Sequence, residues 1–177
     1  MFNLKGRKAL ITGGSKGIGF AIAEELAKSK ADVILVSRNN DDLGKAATKL
    51  KTYGVNADYI AYDISKLDGM ESFYRNILQN YGTPDILINN AGVVKRGSAE
   101  KISLEDWNWV MNLNLTSVFR LSQLFANELI RTSTKGKIVN TGSLMCDVAR
   151  ENNAPYAASK GGLKLLTKAM AADWAKY

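Results

Sequence analysis

The 177-residue chain has no histidine, a single cysteine (Cys146) and two prolines, Pro84 and Pro155. Without histidine there is no Ser-His-Asp triad, no imidazole base and no histidine zinc ligand. A lone cysteine makes neither an intrachain disulfide nor a cysteine-rich metal site. With no histidine to activate it, Cys146 reads as a small loop filler rather than a nucleophile. No metal is expected. No run approaches the roughly 20 apolar residues of a membrane span. The stretch before the strand-like Ala9-Leu10-Ile11-Thr12 leaves no room for a signal peptide. A cytoplasmic chain is expected. Acid is scarcer than base: Lys+Arg 24 against Asp+Glu 17 gives a net charge of +7. The cations are spread along the chain, so neither a nucleic-acid patch nor a membrane surface is expected.

What is present is ordinary globular material, 46% hydrophobic and 23% charged, at a length that suits one domain over residues 1–177. Short apolar runs alternate with amphipathic stretches. Strands are expected at Lys8–Thr12, Val33–Val36, Ala57–Ala61, Asp85–Ile88 and Gly136–Asn140. Helices are expected near 17–29, where Ile18, Ile22 and Leu26 recur at i+4 spacing, and from Asn39 to about Tyr53. Ser65-Lys66-Leu67-Asp68 has the form of a capping box opening a third helix. Ser103-Leu104-Glu105-Asp106 repeats that form before one long helix towards Ile130. Pro155 begins the last helix, which runs to the end. Buried strands, each followed by a helix, predict a doubly wound α/β domain on a parallel sheet.

Thr12-Gly13-Gly14-Ser15-Lys16-Gly17-Ile18-Gly19 joins the first strand to the first helix. Glycines there allow a sharp turn and close approach of the backbone to a pyrophosphate, and the helix N-terminus favours anions. The spacing is Gly-x3-Gly-x-Gly. It lacks the Gly-Lys-Ser/Thr ending of a P-loop, so ATP hydrolysis is disfavoured. The second strand ends in Ser37-Arg38, where an NAD site usually places a carboxylate for the ribose 2′-OH. Arg38 and Lys16 supply two cations and no carboxylate. That suits a 2′-phosphate, so NADP(H) is favoured over NAD(H).

Tyr156-Ala157-Ala158-Ser159-Lys160 opens the last helix. Spacing of i,i+4 sets the phenol and the ammonium on one face. An adjacent ammonium favours phenolate, which suits Tyr156 to acid–base work on an alcohol or carbonyl. Asn89-Asn90-Ala91-Gly92 follows the fourth strand. Asn114 lies in the long helix, and Ser143 ends Asn140-Thr141-Gly142-Ser143 after the fifth strand. Residues beyond the carboxyl ends of parallel strands converge on one crevice.

These motifs, in this order, resemble the short-chain dehydrogenase/reductase family, and the resemblance covers the whole chain. It implies a Rossmann-type sheet of order 3-2-1-4-5 and a nicotinamide cofactor. Gly13, Ser15, Lys16, Gly17, Ile18 and Gly19 would cradle the phosphates, with Arg38 at the 2′-phosphate. Asp63 and Ile64 would lie near the adenine, and Asn89, Ala91 and Gly92 on the adenosine side. Ser143 would hydrogen-bond the substrate oxygen and Tyr156 would transfer the proton. Lys160 would assist Tyr156 and hold the nicotinamide ribose, and Asn114 would position Lys160 through a water. Phe119, Leu121, Leu124 and Phe125 fit a two-helix subunit face, so a homodimer or homotetramer is expected of the full-length form. Trp107, Trp109 and Met111 suit helix packing or that same face.

Ala91-Gly92-Val93-Val94-Lys95-Arg96 and the stretch from Ser143 to Arg150 resemble bacterial sugar-acid dehydrogenases. Gluconate 5-dehydrogenases come first and 2-deoxy-gluconate 3-dehydrogenases second. Arg96 and Arg150 would clamp a sugar carboxylate. Ketoacyl-carrier-protein reductases share most of the motifs. Family members run to about 250 residues. The resemblance therefore implies that this sequence stops short of a sixth and seventh strand and the substrate-covering helices, leaving strand five an unpaired edge. A non-catalytic nucleotide-binding or subunit-pairing remnant is the alternative of a different class.

Overall fold

A computed structural model describes residues 2–177. Five strands form one parallel sheet: β1 Lys8–Thr12, β2 Asp32–Ser37, β3 Ala57–Ala61, β4 Ile86–Asn89 and β5 Lys137–Asn140, in spatial order β3-β2-β1-β4-β5. The helices are α1 Gly17–Lys28, α2 Asn40–Lys51, α3 Met70–Tyr81, α4 Leu104–Met111, α5 Ser117–Arg131 and α6 Ala154–Trp174. Order reverses at β1, so the loops after β1 and β4 diverge there and leave a crevice at the carboxyl ends of the strands.

Strand alternation sorts the core into two layers. Ala9, Ile11, Val33 and Leu35 face α1 and α2, packing with Ala23, Ala27, Leu43 and Leu50. Leu10, Ile34, Val36 and Leu87 face the other side, with Met70, Ile77, Leu121 and Phe125. Both faces of β1 and β2 are covered, which is why these strands are continuous apolar runs. At the sheet edge, β5 has Lys137 and Val139 exposed.

Several expectations shift. The buried stripe of α1 is Gly19, Ala23 and Ala27, while Ile18 stands 68% exposed at the helix start. Small residues let α1 lie close to the sheet, so the bulkier i+4 series flanks the contact. Asn39 caps α2, accepting from the Asp42 N–H at 2.9 Å. Ser65 opens no helix. Its N–H and hydroxyl both bond to Asp63 Oδ1, at 3.1 and 2.7 Å, forming an Asx turn, and α3 begins only at Met70. Ser103 does cap α4, through the Asp106 N–H at 3.1 Å. The expected single long helix is interrupted by a π-helical turn over Asn112–Thr116. Of the side chains assigned to a subunit face, Leu121 and Phe125 belong to the core, and Phe119 stays at the surface.

Candidate active site

Thr12 ends β1 and is buried. Its Oγ1 accepts from the N–H groups of Asn90 and Ala91, at 3.0 and 3.1 Å. The Asn90 carboxamide returns the contact, donating to the carbonyls of Thr12 and Gly13 at 3.1 and 3.4 Å. The loop after β4 is thereby stitched to the glycine loop. Gly13 and Gly17 take left-handed φ values of +66° and +57°. At Gly19 a Cβ would lie 2.2 Å from the Gly13 carbonyl oxygen and 2.5 Å from Asn90 Nδ2, so no side chain fits. The turn can close this tightly only with glycine, and it leaves Lys16, Gly17 and Ile18 exposed at the α1 N-terminus. A backbone cradle on a helix N-terminus fits a dinucleotide pyrophosphate. Arg38 is exposed just beyond β2, and neither it nor Lys16 forms an ion pair among the described residues.

The adenine-side residues divide. Asp63 is half-buried in its turn with Ser65, and Ile64 is buried among Leu10, Ile34 and Val36, so only its main chain can face a ligand. Asn89 points inward. Its Nδ2 donates to Ser122 Oγ and Asn140 Oδ1 at 3.0 and 2.9 Å, bracing β4 against α5 and β5. Ala91 and Gly92 remain at the crevice. Asn90, absent from the expected set, does the stitching; its place inside Asn89–Gly92 was the only signal for it.

Asn114 lies at the centre of the π-helical turn and is fully buried. Its Oδ1 accepts from the Val93 N–H at 2.8 Å, and its Nδ2 donates to the Val93 carbonyl and to Ser159 Oγ, at 2.9 and 3.1 Å. Ser159, itself buried, donates to the Tyr156 carbonyl at 2.8 Å. The carboxamide therefore clamps the loop after β4 to α6 and makes no direct hydrogen bond to Lys160. π-Turns concentrate at functional sites because the extra residue re-aims side chains.

On α6, Lys160 is 5% exposed and donates to the Thr141 carbonyl at 2.6 Å. Its Nζ sits 5.9 Å from the centre of the Tyr156 ring. Burial pushes the Lys160 ammonium below the ordinary lysine range, and Cys146 opposes that shift. Tyr156 is half-buried, and no hydrogen bond within the described residues holds its hydroxyl. Ser143 lies in extended backbone after β5. Its Oγ accepts from the Met145 N–H at 3.1 Å, which leaves the hydroxyl proton free to donate. Cys146 Sγ accepts from the Ser143 N–H at 3.4 Å, a local brace. Lys164 pairs with Asp147, tying this segment to α6.

Arg96 and Arg150 are both exposed and line one hollow of about 370 Å³, together with Gly97, Glu151, Asn152 and Asn153. The Gly97 N–H donates to the Asn152 carbonyl at 3.2 Å, joining the two loops. Among the described residues no helix is long and apolar enough to cross a membrane.

Residues 7–177 match the family model described as short chain dehydrogenase. Gluconate 5-dehydrogenase of Gluconobacter oxydans is 39% identical over 177 residues, spanning 100% of this chain and 69% of that protein. 2-Dehydro-3-deoxy-D-gluconate 5-dehydrogenase of Formosa agariphila is 33% identical over 178 residues, spanning 100% of this chain and 67% of that one. A crystal structure of a gluconate 5-dehydrogenase from Burkholderia cenocepacia, in complex with NADP and tartrate, superposes with a TM-score of 0.91 at 37% identity. That match covers 98% of this chain and 68% of the other.

Proposed function

The chain belongs to the short chain dehydrogenase family, oxidoreductases acting on CH–OH groups, and on that premise we propose that it is an NADP-dependent sugar-acid dehydrogenase. Its reaction interconverts a secondary alcohol and a ketone, with gluconate and 5-ketogluconate as the pair. Residues 1–177 are read as a single nucleotide-binding domain. The observation that carries this reading is the placement of Tyr156 over the buried Lys160, with Ser143 on the neighbouring loop.

The glycine loop and the α1 N-terminus would hold the cofactor phosphates, and Arg38 with Lys16 would take the 2′-phosphate. When bound, the cofactor supplies or accepts the hydride. In reduction, the Ser143 hydroxyl donates to the substrate carbonyl oxygen and draws charge onto it. The Tyr156 hydroxyl then delivers its proton to that oxygen, leaving a phenolate that is reprotonated from solvent. In oxidation the same phenolate takes the proton from the alcohol. The Lys160 ammonium, one helical turn away, stabilises the phenolate electrostatically. Asn114 positions α6 through Ser159 rather than touching the reacting atoms. Arg96 and Arg150 would receive the carboxylate at the hollow they share. Relatives named for gluconate, and one crystallised with a hydroxy-dicarboxylate, support an acid as substrate. A homodimer or homotetramer is proposed through α4 and α5, where Trp109 and Phe119 are exposed.

The test is NADPH-dependent reduction of 5-ketogluconate, followed by loss of cofactor absorbance. Turnover that is faster with NADPH than with NADH is expected. No turnover with either cofactor would overturn the sugar-acid reading.

A further inference from the structure

Asn153 immediately precedes α6, three residues before Tyr156. It is 4% exposed, and among the described residues neither its Nδ2 nor its Oδ1 has a hydrogen-bond partner. Buried polar atoms are nearly always paired, because an unpaired one forfeits the hydrogen bonds it made with water in the unfolded chain. A leucine, with the same branched shape though bulkier, carries no polar atoms and would avoid that loss. Packing therefore gives no reason for a carboxamide here.

The backbone around it is well held. The Asn153 carbonyl accepts from the Ala157 N–H at 3.0 Å, and the neighbouring Asn152 carbonyl takes the Gly97 N–H at 3.2 Å. Asn152 adopts a left-handed φ of +58°, a conformation asparagine tolerates. Asn153 lines the hollow of Arg96 and Arg150, and it also lines an adjoining hollow of about 470 Å³ beside Ser98 and Ala157. Glu151 adds a carboxylate to the lining, so the hollow is mixed in charge and not a bare anion site.

Resting on the sugar-acid reading above, we propose that Asn153 is a specificity-determining residue that reads a hydroxyl on the substrate carbons beyond the reacting one. The ligand class is a polyhydroxy carboxylate, with the carboxylate at Arg96 and Arg150 and a hydroxyl at Asn153. A carboxamide offers a donor and an acceptor, and a hydroxyl answers both, whereas a carboxylate uses only the donor. Asn153 lines both hollows while its two polar atoms are shielded from solvent, so a change of side-chain rotamer is what would present them to substrate. A site built to bond a hydroxyl rejects an analogue that lacks it far more strongly than an apolar pocket does.

The experiment measures competitive inhibition of 5-ketogluconate reduction by gluconate and by hexanoate, an acid of the same chain length without hydroxyls. The ratio of the two inhibition constants is compared between wild type and Asn153→Leu, with Asn153→Ala as a second variant. Both readings come from the folded fraction alone, so partial loss of folding does not mimic the effect. The preference for gluconate over hexanoate is expected to fall at least tenfold in both variants. An unchanged ratio in either folded variant overturns the proposal and leaves the sugar-acid reading standing. Absence of turnover by the wild type overturns that reading, and this proposal with it.

Discussion

The two ends of the sheet bury different chemistry. Around β1, β2 and β3 the interior is almost wholly apolar: Ala9, Leu10, Ile11, Ile34, Leu35, Leu43 and Leu50 are all at most 1% exposed. Around β4, β5, α5 and α6 it is threaded with polar groups. Eight polar or charged side chains are buried among the described residues, and seven of them lie from Asn89 onward. The eighth, Thr12, spends its hydroxyl on Asn90 and Ala91 and so belongs to the seam between the two regions. One region is built for holding and the other for positioning. Buried polar networks hold a unique geometry when every member is satisfied, and an unsatisfied member lowers stability. Asn153 and the buried Lys160 mark places where geometry has been kept against stability.

That contrast predicts opposite signatures for substitutions on the two sides. Tyr156→Phe removes the proton donor in the polar region and should lower kcat by about 100- to 10,000-fold, the usual range for a general acid–base group. Its NADPH affinity and melting temperature should stay near those of the wild type. A variant that turns over normally would remove Tyr156 from the chemistry. Leu35→Ala, in the apolar region, should do the reverse. Truncating a fully buried leucine lowers stability by about 2–5 kcal/mol, read by urea unfolding, while kcat of the folded fraction holds. A large loss of kcat in the folded fraction would break the division of labour. Arg38→Ala gives a smaller effect. Loss of one charge-assisted hydrogen bond weakens NADPH by roughly 10- to 100-fold, about 1.5–3 kcal/mol, and should leave NADH almost untouched. Equal weakening of both cofactors would place Arg38 away from the 2′-phosphate.

The same contrast explains what was legible in the residues. The apolar region follows local rules. Strand runs, the glycine loop and the second helix come through because each is set by nearby sequence and the 2.0 and 3.6 periods. The polar region depends on partners distant in sequence. Ser65 keeps the spacing of a capping box, but Asp63 captures it first. The buried face through residues 104–131 carries Asn114 and Ser117 between Val110 and Val118, and no local rule turns that into the π-helical turn that seats Asn114. Tyr156, Lys160, Ser143 and Asn114 were identifiable through their combination and order. The supporting roles of Asn90 and Ser159 emerge only when Thr12, Val93 and the Tyr156 carbonyl arrive from elsewhere in the chain. Asn153 had no visible signal, because what distinguishes it is the lack of a partner.

The most direct test of a polar region held against stability is Lys160→Met, melted from neutral to alkaline pH beside the wild type. Burial lowers the Lys160 pKa in the folded state, so the unfolded chain binds that proton more tightly. The charged lysine is therefore unfavourable to folding at neutral pH. The penalty is fully present below the folded-state pKa and disappears as pH rises towards the ordinary lysine range. Lys160→Met should lose turnover yet melt higher than wild type at pH 7, with the gap closing as pH rises. A variant that melts lower at pH 7, or a gap that does not change with pH, would contradict it.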